Sequence, residues 1–183
     1  MKLHALALAT GLMMAGGANA SVNSLNLTDN LYLGAFGAPT SYVDGFQVTT
    51  AGTIDHSLTF AITTPLYAGS GVSDVPLSVN FGSFTLTVAD ITGLSATIYK
   101  GSNFITPFAT FTSAGNPDYL TLPASSYFSA GNYTLKIGGT TAPGASGGLY
   151  TVAAVTVPVP EPETWAMLLV GLSLVGLRLR QKA

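Results

Sequence analysis

His56-Ser57-Leu58-Thr59-Phe60-Ala61-Ile62 sets a large ring or aliphatic side chain at every second position, with Ser57, Thr59 and Ala61 between them. Side chains on a strand alternate between faces, so this stretch reads as a strand with one face on a core. The pattern recurs along the chain. Phe84, Leu86 and Val88 alternate with Thr85, Thr87 and Ala89, and Leu94, Ala96 and Ile98 with Ser95, Thr97 and Tyr99. Tyr133, Leu135 and Ile137 alternate with Thr134 and Lys136. Small and turn-forming residues at 68–71, 80–83, 113–117 and 129–132 separate the runs and are expected as turns. A glycine-rich connection from Gly138 to Gly148 precedes a last strand expected over Leu149 to Val157. No helical period and no fixed repeat appears between residues 21 and 157. Short strands at this spacing predict an all-β fold, a single antiparallel β-sandwich domain.

Composition narrows the function classes. The chain has 183 residues, enough for one domain of this kind, with 48% hydrophobic and only 8% charged residues. Low charge combined with high apolar content does not describe a disordered chain. The net charge of −2 lacks the basic surface that nucleic acid requires, so no nucleic-acid partner is expected. With no cysteine, disulfides, thiol catalysis and thiolate metal sites are excluded.

The two ends read as addresses. Lys2, the apolar stretch from Leu3 to Met14 and the small-residue site Ala18-Asn19-Ala20 form an export signal, with cleavage expected before Ser21. Its partners are the Sec translocon and signal peptidase. Residues 1–20 are thus a signal peptide, 21–157 the exported domain and 158–183 a C-terminal sorting segment. That last segment has three parts. Val159-Pro160-Glu161-Pro162-Glu163 is stiff and extended, because each proline fixes φ and restricts the residue before it. Trp165 to Leu177 is free of charge, with Leu168, Leu169, Val170, Leu172, Leu174, Val175 and Leu177 around the whole helix circumference rather than along one stripe. Arg178, Arg180 and Lys182 then close the chain. A short transmembrane helix is expected in the inner membrane, anchored by Trp165 and oriented by the basic tail. Thirteen helical residues rise only about 20 Å, so it would be a thin span.

The Pro160-Glu161-Pro162 core, the apolar stretch and the basic tail together resemble the PEP-CTERM sorting signal of exported proteins from exopolysaccharide-producing Gram-negative bacteria. The resemblance implies recognition by an exosortase, a membrane-embedded cysteine transpeptidase-like enzyme, with cleavage near the motif. It further implies a destination at the cell envelope or in the extracellular matrix, a structural or adhesive role in that matrix or biofilm, and exopolysaccharide as a companion. A carbohydrate-binding module is the alternative, since Tyr32, Tyr67, Tyr99, Tyr119, Tyr127 and Tyr150 could supply a stacking platform.

Chemistry-bearing constellations are sparse. Tyr42, Asp44 and Phe46 fall on one strand face, which sets a carboxylate between aromatic rings. Two readings are open: Asp44 pins strand register through hydrogen bonds to a neighbouring turn, or it contributes to a Ca²⁺ site that would need further oxygen ligands. The stretch is similar to the Phe-x-Asp-x-Phe group of PEP-CTERM proteins, with Tyr42 in the place of the first Phe. His56, the one histidine left after signal removal, is expected as a core or edge histidine rather than a catalytic one, because adjacent Asp55 points to the opposite face and is poorly placed to orient its ring. The exported domain also has no Glu to form the carboxyl pair of a glycosidase. The protein is therefore expected not to be an enzyme and to hold no cofactor or metal.

Overall fold

The computed structural model describes residues 21–81, 84–113, 119–159 and 167–173. Its strands, in chain order, are β1 (Val22–Leu25), β2 (Asn30–Phe36), β3 (Thr40–Val48), β4 (Thr53–Ile62), β5 (Leu66–Asp74), β6 (Leu77–Phe81), β7 (Phe84–Ala89), β8 (Ile91–Lys100), β9 (Ala109–Thr110), β10 (Thr112–Ser113), β11 (Tyr119–Phe128), β12 (Gly131–Thr141) and β13 (Gly148–Pro158). They form a six-stranded sheet in the order β1-β3-β13-β5-β11-β10 and a five-stranded sheet in the order β2-β4-β12-β8-β9. Strands β6 and β7 make a separate hairpin.

The two large sheets pack face to face as a β-sandwich. From β4, Ile54, His56, Leu58 and Ile62 point inward, as the alternation predicts, and meet Leu66, Val72, Tyr150 and Val152 of the other sheet in one apolar cluster. Each such side chain removed from water contributes about 1.5–3 kcal/mol, so the alternation selects which face of every strand turns inward. Aromatic pairs on neighbouring strands reinforce the inner face of each sheet: Phe46 stacks on Tyr150 with ring centroids 5.1 Å apart, and Phe60 on Tyr133 at 5.6 Å.

The antiparallel expectation needs one correction. Strands β1 and β3 pair in parallel, Val22 opposite Gly45, and so do β2 and β4, Asn30 opposite Ser57. The cause is topological. The first four strands alternate between the two sheets, so same-sheet neighbours are two strands apart in the chain and run in the same direction. The remaining strand pairs are antiparallel.

Two predicted turns are also strand. Residues 68–71 lie within β5, and 138–141 continue β12, which leaves 142–147 as the connection to β13. Glycine is required in both places by close approach rather than by chain reversal. A Cβ on Gly69 would lie 2.9 Å from the Ala124 backbone, and one on Gly139 would lie 2.7 Å from the Ile91 side chain. Of the turn predicted over 129–132, residues 129–130 join β11 to β12, while Gly131 and Asn132 already belong to β12. The turns predicted over 80–83 and 113–117 fall largely outside the described residues.

Residues 167–173 are helical and exposed, with Leu169 63% and Leu172 61% accessible. Among the described residues, no helix is long and apolar enough to cross a membrane. Trp165, Leu174, Val175 and Leu177, which complete the predicted span, lie outside them.

Candidate functional site

Three places bear on function: the Asp44 cluster, the buried His56 and the end of β13. At the first, Asp44 lies at the middle of β3, beside the start of β1. Its Oδ1 accepts hydrogen bonds from the Ser21 backbone nitrogen at 3.0 Å, the Ser21 hydroxyl at 2.6 Å and the Gly45 N–H at 3.1 Å. Its Oδ2 accepts from Asn23 Nδ2 at 2.9 Å and from the Tyr42 hydroxyl at 3.1 Å. Burial, followed by the Asp44 carboxylate, pushes the Tyr42 hydroxyl well above the usual phenol range. Phe46 is fully buried against Tyr150 and takes no part in the carboxylate's bonding. Asp44 thus bonds to the first strand of the domain and to the residue before it, rather than to a turn. Among the described residues, no cluster of three or more His, Cys, Asp or Glu side chains stands ready for a metal.

His56 is fully buried. Its Nε2 lies 2.6 Å from the Asn26 carbonyl, which can only accept, so Nε2 carries the proton. Nδ1 then accepts from the Tyr150 hydroxyl at 2.7 Å. Burial lowers the imidazole's pKa, against the raising influence of the Asn26 carbonyl and of Asp29 and Asp55. Nδ1 therefore ties β4 to the other sheet, and Nε2 ties it to the connection between β1 and β2. Asp55 turns away to pair with Lys136, as strand alternation predicts.

The six tyrosines do not share one surface. Tyr150 is core, while Tyr67 and Tyr127 meet edge to face at 5.7 Å on the outer side of the six-stranded sheet. Tyr32 and Tyr99 belong to the five-stranded sheet, and Tyr99 packs against Phe104. The cavity between the sheets, lined by Leu33, Phe36, Tyr42 and Phe60 among others, holds about 60 Å³. That is the space of about two water molecules, too little for a sugar ring.

Strand β13 lies between β3 and β5, in the interior of the six-stranded sheet, and pairs as far as Pro158 opposite Leu66. Its last turn inward is Thr156, whose Oγ1 accepts from Thr40 N–H at 2.8 Å and donates to the Gly37 carbonyl at 2.8 Å. Val159 follows directly, so the C-terminal segment leaves a clamped strand with no spacer. Residues 158–182 match the PEP-CTERM protein-sorting motif. The chain carries a PEP-CTERM sorting signal. Such a signal implies export to the cell envelope or surface and exosortase-dependent sorting. The match covers the C-terminal segment alone, and Tyr42, Asp44 and Phe46 lie outside it. Of the predicted signal residues, Val159, Leu168, Leu169, Val170 and Leu172 are described; Pro160, Glu161, Pro162, Arg178, Arg180 and Lys182 are not, nor are Ala18 and Ala20 at the predicted cleavage site.

No curated protein matches the sequence. Among solved structures, the chain is similar to the pre-peptidase C-terminal domain of a collagenase from Bacillus anthracis. The identity is 12%, covering 76% of this chain and 99% of that one, with a TM-score of 0.39. It is also similar to PliG of Aeromonas hydrophila, a periplasmic inhibitor of g-type lysozyme. Here the identity is 6%, covering 75% of this chain and 99% of that one, with a TM-score of 0.35.

Sequence reasoning missed Ser21 and Asn23 as partners of Asp44, because their role arises only from the parallel β1–β3 pairing. It also missed Asp74, which is buried at the end of β5 beside Asp90. An Asp closing a strand, as here, reads as an ordinary surface residue.

Proposed function

We propose that this is a non-enzymatic structural or adhesive protein of the exopolysaccharide matrix. Signal peptidase cuts it before Ser21, and residues 165–177 tether it in the inner membrane until an exosortase processes it. The PEP-CTERM signal that follows β13 without a spacer carries this reading. The prolines offer an extended backbone that a protease-like cleft binds without unwinding a helix. The exposed apolar side chains of 167–173 suit hydrocarbon better than water, and the basic tail fixes orientation.

The test is fractionation and intact mass of the chain from an exosortase-bearing host. Glu161→Ala is expected to move most of the protein into an unprocessed, membrane-retained form, while the parent is processed. Arg178→Gln with Arg180→Gln is expected to impair orientation and retention. Equal mass and location for variants and parent would defeat the tether.

A carbohydrate-binding role is the second reading, favoured by Tyr127, which is 48% exposed beside Tyr67. Tyr127→Ala should then weaken co-sedimentation with the host's exopolysaccharide and leave the thermal midpoint within about 2 °C of the parent's.

A further inference from the structure

We propose that Asp44 is a receptor for the amino terminus that signal peptidase creates, so that export locks the first strand of the domain. The proposal rests on the cleavage before Ser21 proposed above. In the uncut chain the Ser21 nitrogen is an uncharged amide and donates to the Asp44 carboxylate at Oδ1, at 3.0 Å. Cleavage turns that same atom into an ammonium without moving it. The bond then carries a charge on the donor as well as on the acceptor, which makes it an ion pair.

The surroundings are built for it. The Ser21 hydroxyl, Asn23 Nδ2, the Tyr42 hydroxyl and the Gly45 N–H hold the two carboxylate oxygens in place, and the Ser21 carbonyl accepts from Gly45 N–H at 2.8 Å. The terminal residue is thereby gripped on its nitrogen, side chain and carbonyl together. Gly45 allows this approach, since a Cβ there would sit 3.3 Å from the Ser21 oxygen. Among the described residues, no other cation bonds to Asp44. Lys100 and Lys136 are the basic side chains of residues 21–157, and they are engaged by Ser129 and Asp55 respectively. Strand β1 is a four-residue parallel strand at the edge of its sheet, paired on one side only, so a clamp at its start limits fraying.

The experiment is a cycle on the exported chain. One version ends natively at Ser21; the other carries two extra residues after Ala20, which moves the new amine about 7 Å away and keeps the Ser21 nitrogen an amide. Each is made with and without Asp44→Asn. Intact mass identifies the first residue, thermal melting reads stability, and hydrogen exchange reads residues 22–25. Asp44→Asn is expected to lower the midpoint by about 2–4 °C more, and to raise exchange about fivefold more, in the native-ended chain than in the extended one. Equal effects in both chains, with Ser21 confirmed as first residue, would overturn the lock alone. A first residue other than Ser21 would overturn the cleavage site and the lock together.

Discussion

Tyr150→Ala is expected to cost about 3–5 kcal/mol, a large share of the roughly 5–15 kcal/mol that holds a typical domain folded. Tyr150 is fully buried and stacks on Phe46, so truncation opens a cavity in the middle of the seam between the sheets. It also strips His56 Nδ1 of its donor. Tyr150→Phe separates the two effects. The ring stays, His56 is left with one unpaired nitrogen, and the cost falls to about 1–3 kcal/mol. Urea denaturation of parent and both variants at one pH provides the check. Loss by the Phe variant equal to that of the Ala variant would mean that the hydrogen bond, and not the packing, dominates.

The second large effect is a dependence on pH centred on Asp74. Its side chain is 5% exposed. Burial, together with the Asp90 carboxyl beside it, raises its pKa to about 7, although the N–H groups of Ile91 and Val75 pull the other way. One oxygen, Oδ1, has no donor. The native state therefore holds a proton there that the unfolded chain releases near pH 4. Native binding exceeds unfolded binding between those values, so this group's stabilising influence is complete below pH 4 and is lost as the pH rises through about 7. Asp74→Asn removes the titration and keeps the shape. The variant is expected to be about 1–3 kcal/mol more stable than the parent at pH 8, with a flatter stability profile between pH 4 and 8. Chemical denaturation across that range measures both; an unchanged slope in the variant would exclude Asp74 as its source.

Why these strands were legible, and others not, follows from what alternation encodes. In β4, β8 and β12 one face is buried and the other meets water, so His56-Leu58-Phe60, Leu94-Ala96-Ile98 and Tyr133-Leu135-Ile137 declare themselves. Strand β5 does not, because Gly69 and Gly71 leave room for Ala124 and Tyr119 of β11, and glycine selected for close approach looks the same as glycine selected for a turn. Pairing partners are not encoded in alternation at all. The parallel contacts of β1 with β3, and with them the bonds from Ser21 and Asn23 to Asp44, had no signature along the chain. The sorting signal was legible for the opposite reason. It is a run of consecutive residues, 158–182, so its information is local and linear.

The position of β13 sets a timetable. It is the keystone between β3 and β5, yet it is made from residues 148–158 and is delivered after all the other strands. A chain crossing the membrane with its amino end first must hold two half-built sheets, each with a bare hydrogen-bonding rim, until that piece arrives. Closure and display of the sorting signal then occur almost at once, so a truncated or stalled product is left with neither a finished domain nor an address.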